Sequence, residues 1–184
     1  IRSNLAKGKY LVIQDSYRTG LHALSVIEAS LKKPSSSDSH QKRQDFEREF
    51  RKRSSLLLVQ IKDATVQLEH CGKLGFLQEF YGDRKQFFLS FPQVQELYGA
   101  WKNYSNGVHL AVLGHRLHPF YGTYIPSRTS HLELFATWLS QYKGKKERAI
   151  DIGSGSGVLS FLLAKSAWKE IIASDNNPNA IESI

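Results

Sequence analysis

The sequence predicts an α/β fold: a β-α-β unit over residues 147–184 that opens a parallel sheet, preceded by a mixed α+β N-terminal module. Three observations carry this reading. "RAIDIG" (148–153) is a short apolar strand, and "GVLSFLLAK" (157–165) is a helix with an almost continuous apolar face. "EIIAS" (170–174) is a second strand closed by Asp175. Upstream, residues 1–115 alternate between helical and strand periodicity without an internal repeat.

The chain has 184 residues, 41% of them hydrophobic, enough for a packed core. No run approaches the ~18 apolar residues of a membrane helix, and the first residues lack a basic-then-apolar leader pattern. A soluble protein with no membrane partner is expected. The single cysteine, Cys71, excludes an internal disulfide and a multi-cysteine metal site, and it fits a reducing, cytoplasmic compartment. Cys71 beside His70 has no located third partner and is read as an ordinary half-buried thiol. A net charge of +8 leans toward polyanionic partners. There is no methionine, even at position 1, so Ile1 is not expected to be the natural start. "DNNPNAIESI" reads as a strand end followed by a helix just beginning, with Pro178 in its first turn and Ala180, Ile181 and Ile184 starting an apolar face. A fragment cut at both ends is therefore expected.

Along the chain, "YLVIQ" (10–14) is a strand or a first helical turn. "SYRTGLHALSVIEASLKK" places Leu21, Leu24, Ile27 and Leu31 at helical spacing and stops before Pro34. "PSSSDSHQ" (34–41) reads as a flexible link. "KRQDFEREFRKR" is a mixed-charge helix with Phe46 and Phe50 as a narrow apolar stripe. Its cluster Arg51, Lys52 and Arg53 reads as a solvated helix end suited to the helix dipole, with phosphate contact as the alternative. One or two strands are expected around 56–69. A short helix follows over "FPQVQELYGAWKNYSNG", burying Leu97, Tyr98 and Trp101, and then a strand over "VHLAVLGHRL".

The chemistry signal lies in "AIDIGSGSGVLS" (149–160). Gly153 permits a tight turn out of the strand, Gly155 lets backbone approach a ligand, and Gly157 lets helix and strand pack closely. The helix N-terminus then aims its free N–H groups at the ligand. Asp175, at the tip of the second strand, is placed to accept from two ribose hydroxyls; its alternative role is a helix cap. Loop and acid together imply an adenosine-containing cofactor. The dinucleotide fingerprint fails, because Val158 or Ser160 stands where its last glycine is needed, and no Gly-Lys-Ser/Thr follows. Asp151, two residues before the first glycine, would repel a pyrophosphate but suits an ammonium or sulfonium cation.

These residues resemble the class I S-adenosylmethionine-dependent methyltransferases. Their first motif, acid-x-Gly-x-Gly-x-Gly, is matched by Asp151, Gly153, Gly155 and Gly157; their second is matched by Asp175. "SDNNPNAI" is similar to the version found in the small-domain subgroup, which includes N5-glutamine and ribosomal-RNA guanine methyltransferases. "HPFYGTYIPSRTSHLELFATWL" also resembles a segment of that subgroup, in which a Pro-x-Arg-type turn leads into a helix over the cofactor. The resemblance covers about residues 118–184. It implies a Rossmann-like methyltransferase domain beginning near 116, with residues 1–115 as an accessory or substrate-recognition module. It also implies S-adenosyl-L-methionine as cofactor, held by Asp151, Gly153, Ser154, Gly155, Gly157, Asp175 and Asn176, and a nitrogen in RNA or protein as the methyl acceptor. The Asn-Pro-Pro-aromatic segment that orients the target nitrogen in that subgroup does not occur here, so the catalytic residues are expected beyond position 184. Two other readings stay open: a non-catalytic nucleic-acid-binding protein with a degenerate cofactor fold, and an NAD(P)-binding oxidoreductase. Arg128 reaches either an anionic ligand or a surface partner. His115, His118 and His131 lack the spacing of a compact metal site, so no metal is expected, and His131 is an outside candidate near the pocket. Tyr121 and Tyr124 read as core or lid residues.

Overall fold

A computed structural model of the protein describes residues 2–184. They divide into two compact units, one running through Tyr98 and the other spanning Gly99–Ile184. Among the described residues no helix is long and apolar enough to cross a membrane.

The first unit begins with α1 (Arg2–Ala6), and "YLVIQ" resolves as strand β1 (Leu11–Ile13). Helix α2 (Tyr17–Leu31) starts where the Ser16 hydroxyl accepts the Thr19 N–H at 3.3 Å, and it stops at Lys32 in the left-handed region. Its buried positions are Gly20, Ala23 and Ile27; of the predicted stripe Ile27 is buried, Leu24 and Leu31 are half-buried and Leu21 is 43% exposed. The cause is Phe91, whose ring lies where a Cβ on Gly20 would stand, 2.2 Å from the nearest ring carbon. A large ring facing the helix requires a residue with no side chain beneath it.

The predicted link 34–41 is a turn as far as Ser39, in which the Asp38 carboxylate accepts from the Ser35 N–H at 2.8 Å and from its hydroxyl at 3.1 Å, and its last two residues are already helical. Ser39 then caps α3 (His40–Ser54), where Phe46 and Phe50 stack with centroids 6.1 Å apart. Strand β2 (Leu57–Lys62) is central, with Leu57, Val59 and Ile61 fully buried at period two. Strand β4 (Gln86–Ser90) lies antiparallel along one of its edges; β1, parallel, and β3 (Thr65–Val66), antiparallel, share the other. Between β3 and β4 comes the short helix α4 (Leu77–Tyr81). Helix α5 (Phe91–Asn106), longer than the sequence suggests, buries Phe91, Val94 and Leu97, and the division between the units falls inside it; Tyr98 and Trp101 are only half-buried.

In the second unit, "VHLAVLGHRL" is not one strand but a hairpin, β5 (Val108–Leu110) and β6 (His115–Leu117), reversed at Gly114 with φ 74°. Helix α6 (Ser130–Gln141) follows, and then the β-α-β unit: β7 (Arg148–Ile152), α7 (Val158–Lys165) and β8 (Glu170–Ser174). Strands β7 and β8 are parallel, registered from Arg148 against Glu170 to Ile152 against Ser174. A buried cluster of Leu110, Leu113, Leu132, Leu139, Val158 and Leu162 joins hairpin, α6 and α7. Lys165 Nζ donates to the Leu113 carbonyl at 3.0 Å and ties the hairpin turn to the end of α7. On the opposite side of the two strands Ile150, Ile152 and Ile172 face outward, Ile152 with 84% of its surface exposed. The last helix, α8 (Pro178–Ile181), has Pro178 in its first turn as expected, but of its predicted apolar face only Ala180 is buried. Ile181 and Ile184 are about half exposed, because a helix of four residues presents a single inward position.

Gly20→Ala separates helix propensity from packing. Propensity alone favours alanine by about 1 kcal/mol, whereas overpacking against a ring costs about 1–3 kcal/mol. A net loss is expected in urea unfolding; a gain in stability would show that Phe91 moves aside freely.

Candidate cofactor site

The site is built where β7 and β8 end side by side. The Gly153 and Ser154 N–H groups both donate to the Ser174 carbonyl, at 2.7 and 3.0 Å, so the loop leaving β7 bends across the tip of β8. The Gly157 N–H then returns to the Ser154 carbonyl at 2.8 Å. All three loop glycines hold positive φ, 74°, 53° and 74°, a region that costs L-residues about 1–2 kcal/mol. Of the three, Gly157 has a packing role that differs from the sequence expectation. A Cβ on Gly155 would be in ordinary contact with the Tyr124 carbonyl at 3.5 Å, so backbone conformation sets that glycine. One on Gly157 would stand 2.9 Å from Ile184 Cγ1 and 3.1 Å from the Phe161 ring, so this glycine clears side chains rather than the strand.

Asp175 closes the loop. Its Oδ2 accepts from the Gly155 N–H at 2.8 Å and its Oδ1 from the Asn177 N–H at 2.9 Å. The cap of α8 is Asn177, whose Oδ1 accepts from Asn179 N–H at 3.1 Å, so Asp175 is not the helix cap. The Asn177 amide first, and then that of Gly155, hold the Asp175 carboxyl below the usual carboxylate range.

Asp151 is buried, and its Oδ2 accepts from the Ser160 hydroxyl, one turn into α7, at 2.6 Å. Together these elements enclose a cleft of about 310 Å³, lined among others by Tyr124, Pro126, His131, Asp151, Ser154 and Asp175. That volume is at the small end of ligand pockets, about 300–1,000 Å³. Ser156 also lines it, and the hydroxyls of Ser154 and Ser156 are buried with no hydrogen-bond partner. A buried hydroxyl left unpaired costs about 1–3 kcal/mol, a deficit that a polar ligand in the cleft would relieve.

The rim of the cleft comes from the segment before α6. Phe120 N–H donates to Ser183 Oγ at 2.8 Å, the Asn179 side-chain amide to the Tyr121 carbonyl at 2.9 Å, and the Asn177 amide to the Gly122 carbonyl at 3.1 Å. The polar residues of "DNNPNAIES" thereby staple the Phe120–Tyr124 turn beside the glycine loop. Sequence reasoning missed this role, since a side chain's distant backbone partner leaves no local signal. It also missed Ser160, whose partner is the Asp151 side chain nine residues earlier, and Ser156, whose burial depends on how the loop folds.

Of the residues singled out in the sequence, Asp151, Gly153, Ser154, Gly155 and Asp175 line the cleft, while Gly157 and Asn176 fall outside its lining. His131 lines it and Arg128, exposed, does not. His118 is occupied elsewhere, its Nδ1 2.6 Å from the Tyr104 carbonyl, and His115 packs edge-on against Phe161. In the first unit, burial pushes the Cys71 thiol up, away from a reactive thiolate.

A parallel β-α-β unit with a glycine loop and carboxylates near its strand ends is an arrangement that nucleotide-binding folds also use. Residues 129–184 match the family model for ribosomal protein L11 methyltransferase (PrmA), which supports an S-adenosylmethionine-dependent methyltransferase family and a methyltransferase function in general. No curated protein matches the chain.

Ser160→Ala removes the donor to a buried carboxylate and is expected to cost about 1–3 kcal/mol, measured as a lowered denaturation midpoint; an unchanged midpoint would show that Asp151 does not depend on it. For Asp175 the sign follows from its lowered pKa. The bridge stabilises fully above the ordinary carboxylate value, about 3.9, and that contribution is lost as pH falls through the lower folded value. Asp175→Asn, whose amide nitrogen cannot accept, is therefore expected to melt lower than the parent near neutrality, with the difference closing in acid. A difference independent of pH would mean that the charge on Asp175 plays no part.

Proposed function

We propose that the chain carries the cofactor-gripping part of an S-adenosyl-L-methionine-dependent methyltransferase acting on a nitrogen in RNA or protein. In this reading residues 116–184 begin a Rossmann-like domain and residues 1–115 form an accessory or substrate-recognition module. The observation that carries the proposal is the cleft itself: two carboxylates and two unpartnered buried hydroxyls converge on one glycine loop at the end of a parallel strand pair. That donor and acceptor set fits a ligand with a ribose diol and a cationic end. Asp175 accepts from the diol, and Asp151, held in orientation by Ser160, faces the cation. Ser154 and Ser156 supply hydroxyls, and Gly153, Gly155 and Gly157 keep the loop in its left-handed path. Asn176, adjoining Asp175, belongs to the same end of the site.

When bound, S-adenosylmethionine supplies an electrophilic methyl on a sulfonium, transferred by in-line displacement to a nucleophile. The residues of the cleft are assigned to binding and alignment, not to acid–base chemistry, because the leaving group is a neutral thioether and alignment supplies most of the rate. A nicotinamide dinucleotide suits the cleft poorly, since its pyrophosphate would lie among carboxylates.

Calorimetry with S-adenosylhomocysteine and with NAD tests the reading. Binding of the first and not the second is expected, and binding of NAD alone overturns the assignment. Asp175→Ala and Gly155→Val are each expected to weaken S-adenosylhomocysteine at least about tenfold, roughly 1.4 kcal/mol. Ser156→Ala provides the sharper check, because removing an unpaired buried hydroxyl should leave the free protein as stable or more so while lowering affinity. Normal affinity in all three variants refutes the site.

A further inference from the structure

We propose that the outward face of α3 is a docking surface for the phosphodiester backbone of structured RNA. The proposal rests on the methyltransferase reading only in choosing RNA from the two substrate classes that reading leaves open.

Helix α3 separates its charges by face. Phe46, Phe50 and the buried Ser54 turn inward, while Arg43, Gln44, Glu47, Arg48, Arg51 and Lys52 are exposed and line one shallow, open groove of about 870 Å³. The acids of this region are largely spent on particular cations: Asp38 on Lys42 at 3.1 Å, Asp45 on Arg48 at 2.7 Å and Glu49 on Arg53 at 2.7 Å. Among the described residues no carboxylate is within ion-pair distance of Arg43, Arg51 or Lys52. These three cations therefore face solvent uncompensated, with Glu47 the one anion between them on the same face.

A helix end carrying cations is ordinarily accounted for by its dipole, but that accounts only for Arg51, Lys52 and Arg53, in the last turn. Arg43 lies in the first turn, where the dipole disfavours a cation, and it shares the face with Arg51. Eight residues at 1.5 Å each put Arg43 and Arg51 roughly 12 Å apart along the axis. That span is long enough to reach several successive phosphates of one strand, which lie about 3.4 Å apart along the axis even in a B-form duplex. Guanidinium groups hold phosphate oxygens in bidentate pairs, and long apolar stems lining the groove let them reach a ridge of backbone. A polyanion fits this face, and a neutral or basic protein surface does not.

The test uses the whole chain and a fluorescently labelled RNA hairpin, read by anisotropy over a range of salt. Arg43→Gln/Arg51→Gln/Lys52→Gln is compared with Lys7→Gln/Lys9→Gln/Lys62→Gln, which removes the same charge from exposed positions elsewhere in the unit. The α3 variant is expected to lose at least about tenfold in affinity and to show a salt slope shallower by about two to three, as three lost phosphate contacts require. The control should change less than about threefold. Glu47→Gln, which removes the anion from the face, is expected to raise affinity, a gain that misfolding cannot produce. Equal losses in the two triple variants, no gain from Glu47→Gln, or equal competition by a DNA duplex or by polyglutamate overturns the proposal. S-adenosylhomocysteine calorimetry on the same proteins keeps the two readings apart: no cofactor heat with α3-dependent RNA binding removes the methyltransferase reading and leaves the surface standing. Cofactor heat without RNA binding does the reverse.

Discussion

The arrangement of the second unit depends on the Asp175 carboxylate, which accepts from the backbone on both sides of the site at once. One oxygen holds Gly155, at the apex of a loop that leaves β7 in a left-handed conformation, and the other holds Asn177, at the start of α8. Three successive positive-φ glycines spaced by serines would otherwise be free to sample many conformations, since glycine loses more entropy on folding than any other residue. A charge-assisted bridge at the apex offsets part of that loss. Because Asn177 leads into the residues that staple the Phe120–Tyr124 turn, the same carboxylate indirectly fixes the rim of the cleft. Any group that bound only this ordered form of the loop would add to its stability.

How far this was legible from residues alone depended on the range of the interaction. The β-α-β unit was readable because its signals are local: an apolar strand, a glycine turn, an apolar helix and an acid closing the second strand. Asp151 and Asp175 were found because the turn between them fixes where strand ends lie, and the structure does bring both to one cleft. Readings failed where a distant side chain decided the outcome. The inward stripe of α2 turns away from Leu21 because Phe91, more than sixty residues later, covers Gly20. "VHLAVLGHRL" reads as one strand because its apolar residues continue through Leu113 to Leu117, whereas the reversal at Gly114 is secured by Lys165 from another element. Strand β4 and helix α4 lack strong periodicity of their own and take their shape from β2 and from burial around Phe76 and Leu77.

The two units use charge in opposite ways. In the cleft, the two carboxylates are oriented by hydroxyl and amide donors, at Ser160, Gly155 and Asn177, and neither is paired with a cation among the described residues. On α3 the cations of one face are left uncompensated while those beside them are paired. Surface pairs of that kind contribute little to stability, about 0–1 kcal/mol each, so their main effect is on the pattern of potential.

The outward isoleucines of the strand pair have a consequence for handling the protein. Among the described residues β7 and β8 pair only with each other, leaving backbone donors and acceptors along each outer edge beside Ile150, Ile152 and Ile172. An open edge next to an apolar face is a template on which another strand can add, and charge in the form of Arg148 and Glu170 guards only one end of it. A lysine in place of Ile152, whose side chain is exposed and outside the lining of the cleft, would put a charge beside that edge and lower the tendency of concentrated samples to associate through it.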